Sequence, residues 1–424
     1  MRPMQPVRGT SDLMPRQKSQ MNIVLEKAAL IASRYGFQDI ETPIFEFAEV
    51  FSRPLGASSD VVAKETYTFE DRGGTSLTLR PEGTASVMRA LISNGLTQSL
   101  PQKFFYSGPM FRYERPQKGR MRQFHQIGCE YIGSFDPLAD AEVIGYAAQF
   151  LTELGVIDKC VLHLNSLGDA KSRDDYRAAL IAFLSDYKND LSNDSQRRLN
   201  ENPLRILDSK AEQDRKIIKN APRLPAFLTT QAKKHFEQVT GVLDKARINW
   251  QLDANLVRGL DYYSHTAFEF ITDALGSQGT VLGGGRYDGL SAMLGGPDIG
   301  AVGFAAGVER LALLTEQSED FTYDVAVVIA DEKATPESFA LAQSLRSHGL
   351  KIDIPLAPQL GKKLKRAGAI GCKISLIIGE NEIKSRTILF KIMATGEQKQ
   401  IAFSEAIPFV AEFFERELED KLEE

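Results

Sequence analysis

The stretch Phe104–Gly133, FFYSGPMFRYERPQKGRMRQFHQIGCEYIG, reads as two strands joined by a basic loop. Its first half, Phe104 to Glu114, alternates apolar and polar residues and brings Arg112 and Glu114 close together. The loop from Arg115 to Arg122 holds Arg115, Lys118, Arg120 and Arg122 around a proline and a glycine. The return strand presents Phe124, Gln126, Gly128 and Glu130 at even spacing, so all four share one face. Arginine's planar fork suits phosphate, and a phenylalanine ring offers a face to a purine. A nucleotide site is the economical reading. The alternative is a basic hairpin whose charges simply face water.

Two more arginine-bearing segments lie downstream. Asn255 to Phe270, NLVRGLDYYSHTAFEF, sets Arg258 and Asp261 around a glycine before paired tyrosines. Gly300 to Leu313, GAVGFAAGVERLAL, leads small residues into an apolar helical pattern carrying Glu309 and Arg310.

In this order the segments resemble the class II aminoacyl-tRNA synthetases. Gly108 to Glu114 with Phe124 and Glu130 is similar to their motif 2, and GFAAGVERL at Gly303 to Leu311 to motif 3. YGFQDIETPIFEFAEVF, Tyr35 to Phe51, has the helix-to-strand character and central proline of motif 1. LVRGLDYY at Leu256 to Tyr263 resembles the signature of the histidyl-tRNA synthetases. RPEGTA at Arg80 and GGGRYDGL at Gly283 fit the same family.

The chain of 424 residues predicts two to four domains. Hydrophobic content of 43% and charged content of 25% are ordinary soluble values. No apolar run approaches a membrane span and Met1 to Arg16 lacks an apolar core, so the expectation is a cytoplasmic protein. Cys129, Cys160 and Cys372 form no CxxC pair and read as reduced thiols. His125 and Cys129 stand four apart without further ligands, so no structural metal is expected. A net charge of -5 does not advertise nucleic-acid binding, but local basic patches suffice for RNA. The Arg115 to Arg122 loop is one, and GKKLKRAG at Gly361 to Gly368 another.

The pattern predicts a helix from Pro15 to Arg34 and strands on to Phe51. A second helix is expected to open at Pro81 and Glu82 and run to about Asn94, which is also the plain structural reading of Glu82. Further expectations are a helix over Asp140 to Leu154 and a strand over Lys159 to Ser166. From Asp169 to Arg247 charged helical stretches replace strand signals. Beyond a polar segment, Val325 to Ala330 and Ile374 to Gly379 are buried-strand patterns alternating with helices at Thr335 to His348 and Gln359 to Gly371. They predict an α/β domain with a largely parallel core. There is no GxxxxGK[ST] phosphate loop, and the glycines at Gly283 to Gly285 make no dinucleotide fingerprint.

The resemblance implies an α/β protein with an α+β catalytic core around an antiparallel sheet. The core's first part would be 1–168, a helical insertion 169–247, the core's second part 248–314, a linker 315–323, and an anticodon-binding domain 324–424. It implies ATP-dependent activation of L-histidine to an adenylate, then transfer to the 3′ end of tRNA(His), by a homodimer built on motif 1. ATP is the substrate and Mg2+ its companion. Arg112 would hold the α-phosphate and carboxylate, Arg310 the γ-phosphate, and Arg258 the α-phosphate as charge builds, an arginine standing where other members of the class place a metal. Phe124 would stack on adenine, Glu114 would accept from its exocyclic amine, and Arg120 would join the ATP site. Glu82, Gly83, Thr84 and Gln126 would surround the histidine ammonium. Glu130 and Tyr263 would read the imidazole, with Tyr262 lining the pocket or packing inward. Arg115 and Gln117 would approach the tRNA acceptor end. Selection by buried hydrogen-bonding groups predicts no editing domain. Ser264 and His265 follow the tyrosines as a variable pair, His265 reading as a strand or surface residue. Two relatives without the activity compete: a histidine-binding regulatory subunit of ATP phosphoribosyltransferase, and an RNA-sensing module on the synthetase fold. Retained Arg112, Arg258 and Arg310 and a C-terminal domain favour the enzyme.

Overall fold

The computed structural model describes residues 3–55, 65–117, 119–201, 203–209, 211–254, 256, 262–276, 279–315 and 321–423. Arg258, Lys118 and most of the linker lie outside them. Two compact units divide the chain, Met1–Glu319 and Asp320–Glu424.

The first unit holds eleven strands among its described residues. They are β1 (Gln38–Asp39), β2 (Phe45–Phe47), β3 (Tyr67–Glu70), β4 (Ser76–Leu79), β5 (Gln102–Phe111), β6 (Gln123–Ile132), β7 (Val161–Ser166), β8 (Gln251–Leu252), β9 (Ser264–Ile271), β10 (Thr280–Arg286) and β11 (Ala301–Gly307). Its α-helices are α1 (Pro15–Arg34), α2 (Glu49–Leu55), α3 (Thr84–Ser93), α4 (Pro137–Glu153), α5 (Ala170–Ser185), α6 (Asn193–Glu201), α7 (Glu212–Ile218), α8 (Thr230–Lys245), α9 (Leu290–Met293) and α10 (Val308–Leu314). Eight strands form one sheet in the order β1-β5-β6-β11-β10-β9-β7-β8, antiparallel except at its two short edges. β2, β4 and β3 form a separate antiparallel sheet. The expected helix at Pro15 runs to Arg34, and no strand interrupts 170–245 among the described residues.

Alternation splits the large sheet into two faces. Ile127, Cys129, Phe268, Phe270, Val302 and Phe304 pack beneath α1, α4 and α8, meeting Val24, Ile31, Val143, Phe150, Val239 and Leu243. The opposite face carries Phe104, Tyr106, Tyr262, Tyr263 and Tyr287 towards Met88 and Leu91 of α3 and Leu180 of α5.

Two local expectations shift. Phe51 lies in α2 rather than in a strand. The second helix begins at Thr84, not at Pro81 and Glu82. The reason is Glu82 itself: its carboxylate accepts from the Thr84 and Ala85 N–H groups at 2.6 and 3.0 Å. It satisfies the helix's first donors from outside the helix.

The second unit contains β12 (Val325–Ile329), β13 (Ile352–Asp353), β14 (Ile374–Ile378), β15 (Thr387–Ile392) and β16 (Gln398–Ala402). Its α-helices are α11 (Thr335–Ser347), α12 (Leu360–Ala369), α13 (Glu380–Ser385) and α14 (Ala406–Glu423). The strand order is β13-β12-β14-β15-β16. β13, β12 and β14 run parallel as expected, but β15 and β16 add an antiparallel pair. The sheet is therefore parallel only over its apolar half, where helices cover both faces.

Candidate active site

The hairpin of β5 and β6 forms the floor of the site. Its register sets Phe104 opposite Glu130, Gly108 opposite Gln126 and Phe111 opposite Gln123. Even-numbered residues of β6 thereby share one face with Tyr106. Two glycines make room for that tyrosine. A Cβ at Gly83 would lie 2.2 Å from the Tyr106 ring, and one at Gly128 2.3 Å from it.

Glu130 is completely buried at the centre. Its Oε1 accepts from the Thr84 hydroxyl at 2.6 Å, and its Oε2 accepts a very short hydrogen bond from the Tyr287 hydroxyl. Opposite it in β11 stands Gly303, where a Cβ would come within 1.9 Å of Oε2. Burial pushes the Glu130 carboxyl up to about 8, against the two hydroxyl bonds and with help from the Glu82 charge. Glu82 is also buried and raised, again by desolvation, although backbone donors at Ala85 and Thr84 and the Arg112 charge oppose it. Gln126 accepts from the Gly83 N–H at 3.2 Å. Glu82, Gly83, Thr84, Gln126 and Glu130 thus form one connected polar wall.

Tyrosines close the pocket. Tyr262 and Tyr263 rings lie 4.9 Å apart, and Tyr262 meets Tyr287 edge-on at 5.8 Å. The Tyr262 hydroxyl is buried and meets no partner among the described residues. An orphaned buried hydroxyl is an acceptor and donor held ready for a ligand.

Farther along the hairpin the cations gather. The Arg112 guanidinium lies 5.3 Å from the Phe124 ring centre, and its Nε donates to Pro81 O at 2.8 Å. Glu114 forms an ion pair with Arg120 at 2.9 Å and stands 3.9 Å from Arg112. Arg310, in the first turn of α10, donates to Gly119 O at 3.2 Å and Thr280 O at 2.5 Å. Burial lowers its proton affinity, and Arg120 adds like-charge repulsion. A cluster of three such cations with a carboxylate and an aromatic plate can neutralise a polyphosphate. Arg115 and Gln117 are exposed in the loop, where the Gln117 backbone exchanges hydrogen bonds with that of Arg120 at 3.0 and 2.8 Å.

Of the residues singled out from sequence, Arg258, Asp261 and Lys118 fall outside the described residues. Sequence reasoning gave no role to Tyr106 or Tyr287. Tyr287 is 157 positions from its partner Glu130, and no spacing rule links them. Arg286 likewise carries no role on sequence grounds. It is buried and pairs with the equally buried Asp140 while donating to Ser134 O and Asp136 O. A charged residue closing a run of glycines was its one available signal. Among the described residues no group of three His, Cys, Asp or Glu side chains is placed to hold a metal ion, and no helix is long and apolar enough to cross a membrane.

Residues 9–311 match the family model described as histidyl-tRNA synthetase, and residues 324–413 match an anticodon binding domain. The chain belongs to the histidyl-tRNA synthetase family. A histidine–tRNA ligase of Gluconacetobacter diazotrophicus is 51% identical over 96% of this chain and 98% of its own length. Another, from Rhodospirillum rubrum, is 50% identical over 97% of this chain and 99% of its own. The apo histidyl-tRNA synthetase of S. aureus has the same fold at 34% identity, with a TM-score of 0.82 over 96% of this chain and 99% of that one. These matches span both units, so the synthetase reading prevails over the regulatory-subunit alternative. Members of the family use ATP as a substrate.

Proposed function

We infer that this site joins L-histidine to ATP as histidyl-adenylate, releasing pyrophosphate, and then passes histidine to the 3′ end of tRNA(His). The observation that carries the reading is the buried Glu130. A buried acid held in a tyrosine-walled pocket by two hydroxyl donors selects a ligand with matching polar atoms, because any other leaves buried groups unpaired. Imidazole, with one donor and one acceptor nitrogen, is such a ligand.

Glu82, Gly83, Thr84 and Gln126 receive the ammonium, while Glu130 and Tyr263 read the ring with Tyr262 beside them. Phe124 takes adenine on the face that Arg112 now covers, and Glu114 accepts from the adenine amine. Arg112 draws the carboxylate and α-phosphate together, Arg120 joins the ATP site, and Arg310 takes the γ-phosphate. Arg258 stabilises the charge that builds on the α-phosphate. Catalysis is thus positioning and electrostatics. Mg2+ would accompany ATP and pyrophosphate as their companion ion, adding to the charge neutralisation that the arginines supply. Arg115 and Gln117, being exposed, meet the tRNA acceptor end, and the C-terminal unit meets unpaired anticodon bases. The protein works in the cytoplasm.

Two copies form the working enzyme. Phe45, Phe47 and Phe69 are 52%, 62% and 45% exposed on one face of the β2-β4-β3 sheet, within and beside the motif 1 segment. Such an aromatic patch is what a second copy would cover. Light scattering on the purified chain tests this, a monomer at micromolar concentration counting against it.

The test of the activity is histidine-dependent exchange of labelled pyrophosphate into ATP. Exchange with histidine and no other amino acid is expected, and Arg258→Ala should abolish most of it in a folded protein. Histidine binding without exchange would turn the reading to the regulatory subunit.

A further inference from the structure

The backbone that presents Tyr263 is irregular, and the root of the helical insertion holds it. β10 pairs Gly285 with Ala267 but Arg286 with Ser264, so His265 and Thr266 are extra residues on β9. His265 takes φ 46°, a left-handed conformation uncommon outside glycine. A bulge of this kind re-aims the side chains beside it. Its conformation is fixed from β7 outward: Leu167 N–H donates to His265 O at 2.5 Å, and His265 N–H donates to Gly168 O at 2.9 Å.

A third bond reaches the tyrosine itself. Arg173, in the first turns of α5, donates from Nη1 to Tyr263 O at 2.6 Å, across ninety positions of sequence. The base of Arg173 is tied by side-chain caps. Asp169 caps α5 by accepting from Ser172 N–H at 2.8 Å and Ser172 Oγ at 2.7 Å. The same carboxylate accepts from Thr229 Oγ1 at 2.5 Å, and Thr229 in turn caps α8. The two long helices of the insertion are therefore tied together where Arg173 leaves them.

We propose that Arg173 is a positioning residue for amino-acid recognition: through its guanidinium the helical insertion holds the bulged backbone that aims Tyr263 into the imidazole pocket. The proposal rests on the reading of that pocket as the histidine site. A charged, planar donor keeps its grip on a carbonyl where a neutral one would yield to small displacements. Arg173 touches neither the reacting atoms nor the phosphate cluster, so its removal should be felt by histidine and not by ATP.

The experiment is steady-state pyrophosphate exchange on the full chain with Arg173→Met, Arg173→Lys, Tyr263→Phe and the Arg173→Met/Tyr263→Phe double variant. Arg173→Met is expected to raise the KM for histidine at least about tenfold with the KM for ATP within about twofold, and Arg173→Lys to restore part of the loss. In the double variant the Arg173 effect should largely disappear, since both changes break one interaction chain. Additive effects, equal rises in both KM values, or an unchanged histidine KM in Arg173→Met would each overturn the proposal. Should Arg173→Met not fold, Arg173→Lys carries the same test at smaller amplitude. Parental exchange with histidine is measured first, because its absence would sink the reading of the site and this inference with it.

Discussion

The two faces of the large sheet are built from the same strands and behave as different materials. On β6, Ile127 and Cys129 point into an apolar layer beneath α1 and α4, whereas Gln126, Gly128 and Glu130 line the pocket. On β11, Val302 and Phe304 belong to the first layer, and Gly303 opens space for Glu130. Period-two alternation thus puts a purely apolar layer on one side and the polar wall on the other, one residue apart. A single-residue slip of register would exchange the two.

The sharpest way to break that division is at Glu130. Glu130→Gln keeps the shape but loses the acid, and histidine-dependent exchange should fall about 10³-fold or more. Stability should respond with the opposite sign. The Glu130 carboxyl is raised from 4.5 to about 8 in the fold, so the folded state binds the extra proton between those values. The stability this group contributes in the ligand-free protein is full below 4.5 and is lost as pH rises through about 8. The glutamine variant should therefore melt with less pH dependence between 5 and 9, and a parental dependence retained in full would show another group responsible.

On the far face the outcome should invert. Phe304→Ala removes a ring that meets Tyr146 at 5.1 Å, and should cost about 3–5 kcal/mol in urea unfolding. Its folded fraction should bind histidine and ATP with KM values close to parental. A large specific change in either would show that the faces are not independent.

Gly303→Ala tests the boundary between them. The added methyl would meet Glu130 Oε2 at 1.9 Å and Cys129 O at 2.3 Å, so the carboxylate must move. The expected loss in kcat/KM for histidine is about 10²-fold, with a smaller loss for ATP.

The smallest effect concerns His265. Its ring stacks on His235 at 4.7 Å, and its Nδ1 is buried with no hydrogen-bond partner among the described residues. Burial first, then the neighbouring His235, lowers it from 6.5 to about 4. A depressed histidine contributes stability that is present above about 6.5 and is lost as pH falls towards 4. The melting temperature of His265→Asn, which tolerates the left-handed backbone, should fall less between pH 7 and pH 5 than that of the parent. Equal acid sensitivity in both would assign the effect elsewhere.

Much of this architecture was legible in the residue order. The hairpin, the helix from Pro15, the strandless insertion and the apolar strands Val325–Ile329 and Ile374–Ile378 follow from periodicity and from glycine and proline placement. The family was legible because its motifs are short, local and ordered. The errors were local too. Glu82 looked like a helix residue because an acid after a proline suits a first turn, yet here it caps from outside. The strands β15 and β16 went unread, since TILFKI and QKQIA carry weak alternation and no tight turn signal.

By itself, the sequence determined the motif hairpin and the sharing of one strand face by Phe124, Gln126, Gly128 and Glu130, because alternation and turn chemistry act within a few residues. Only the tertiary structure decided that Tyr287 and Thr84 clasp Glu130, that Arg286 is buried against Asp140, and that Arg173 grips the backbone of Tyr263. Those partners lie 46 to 157 positions apart, where no periodicity operates and where the cost of leaving a buried polar group unpaired selects the contact.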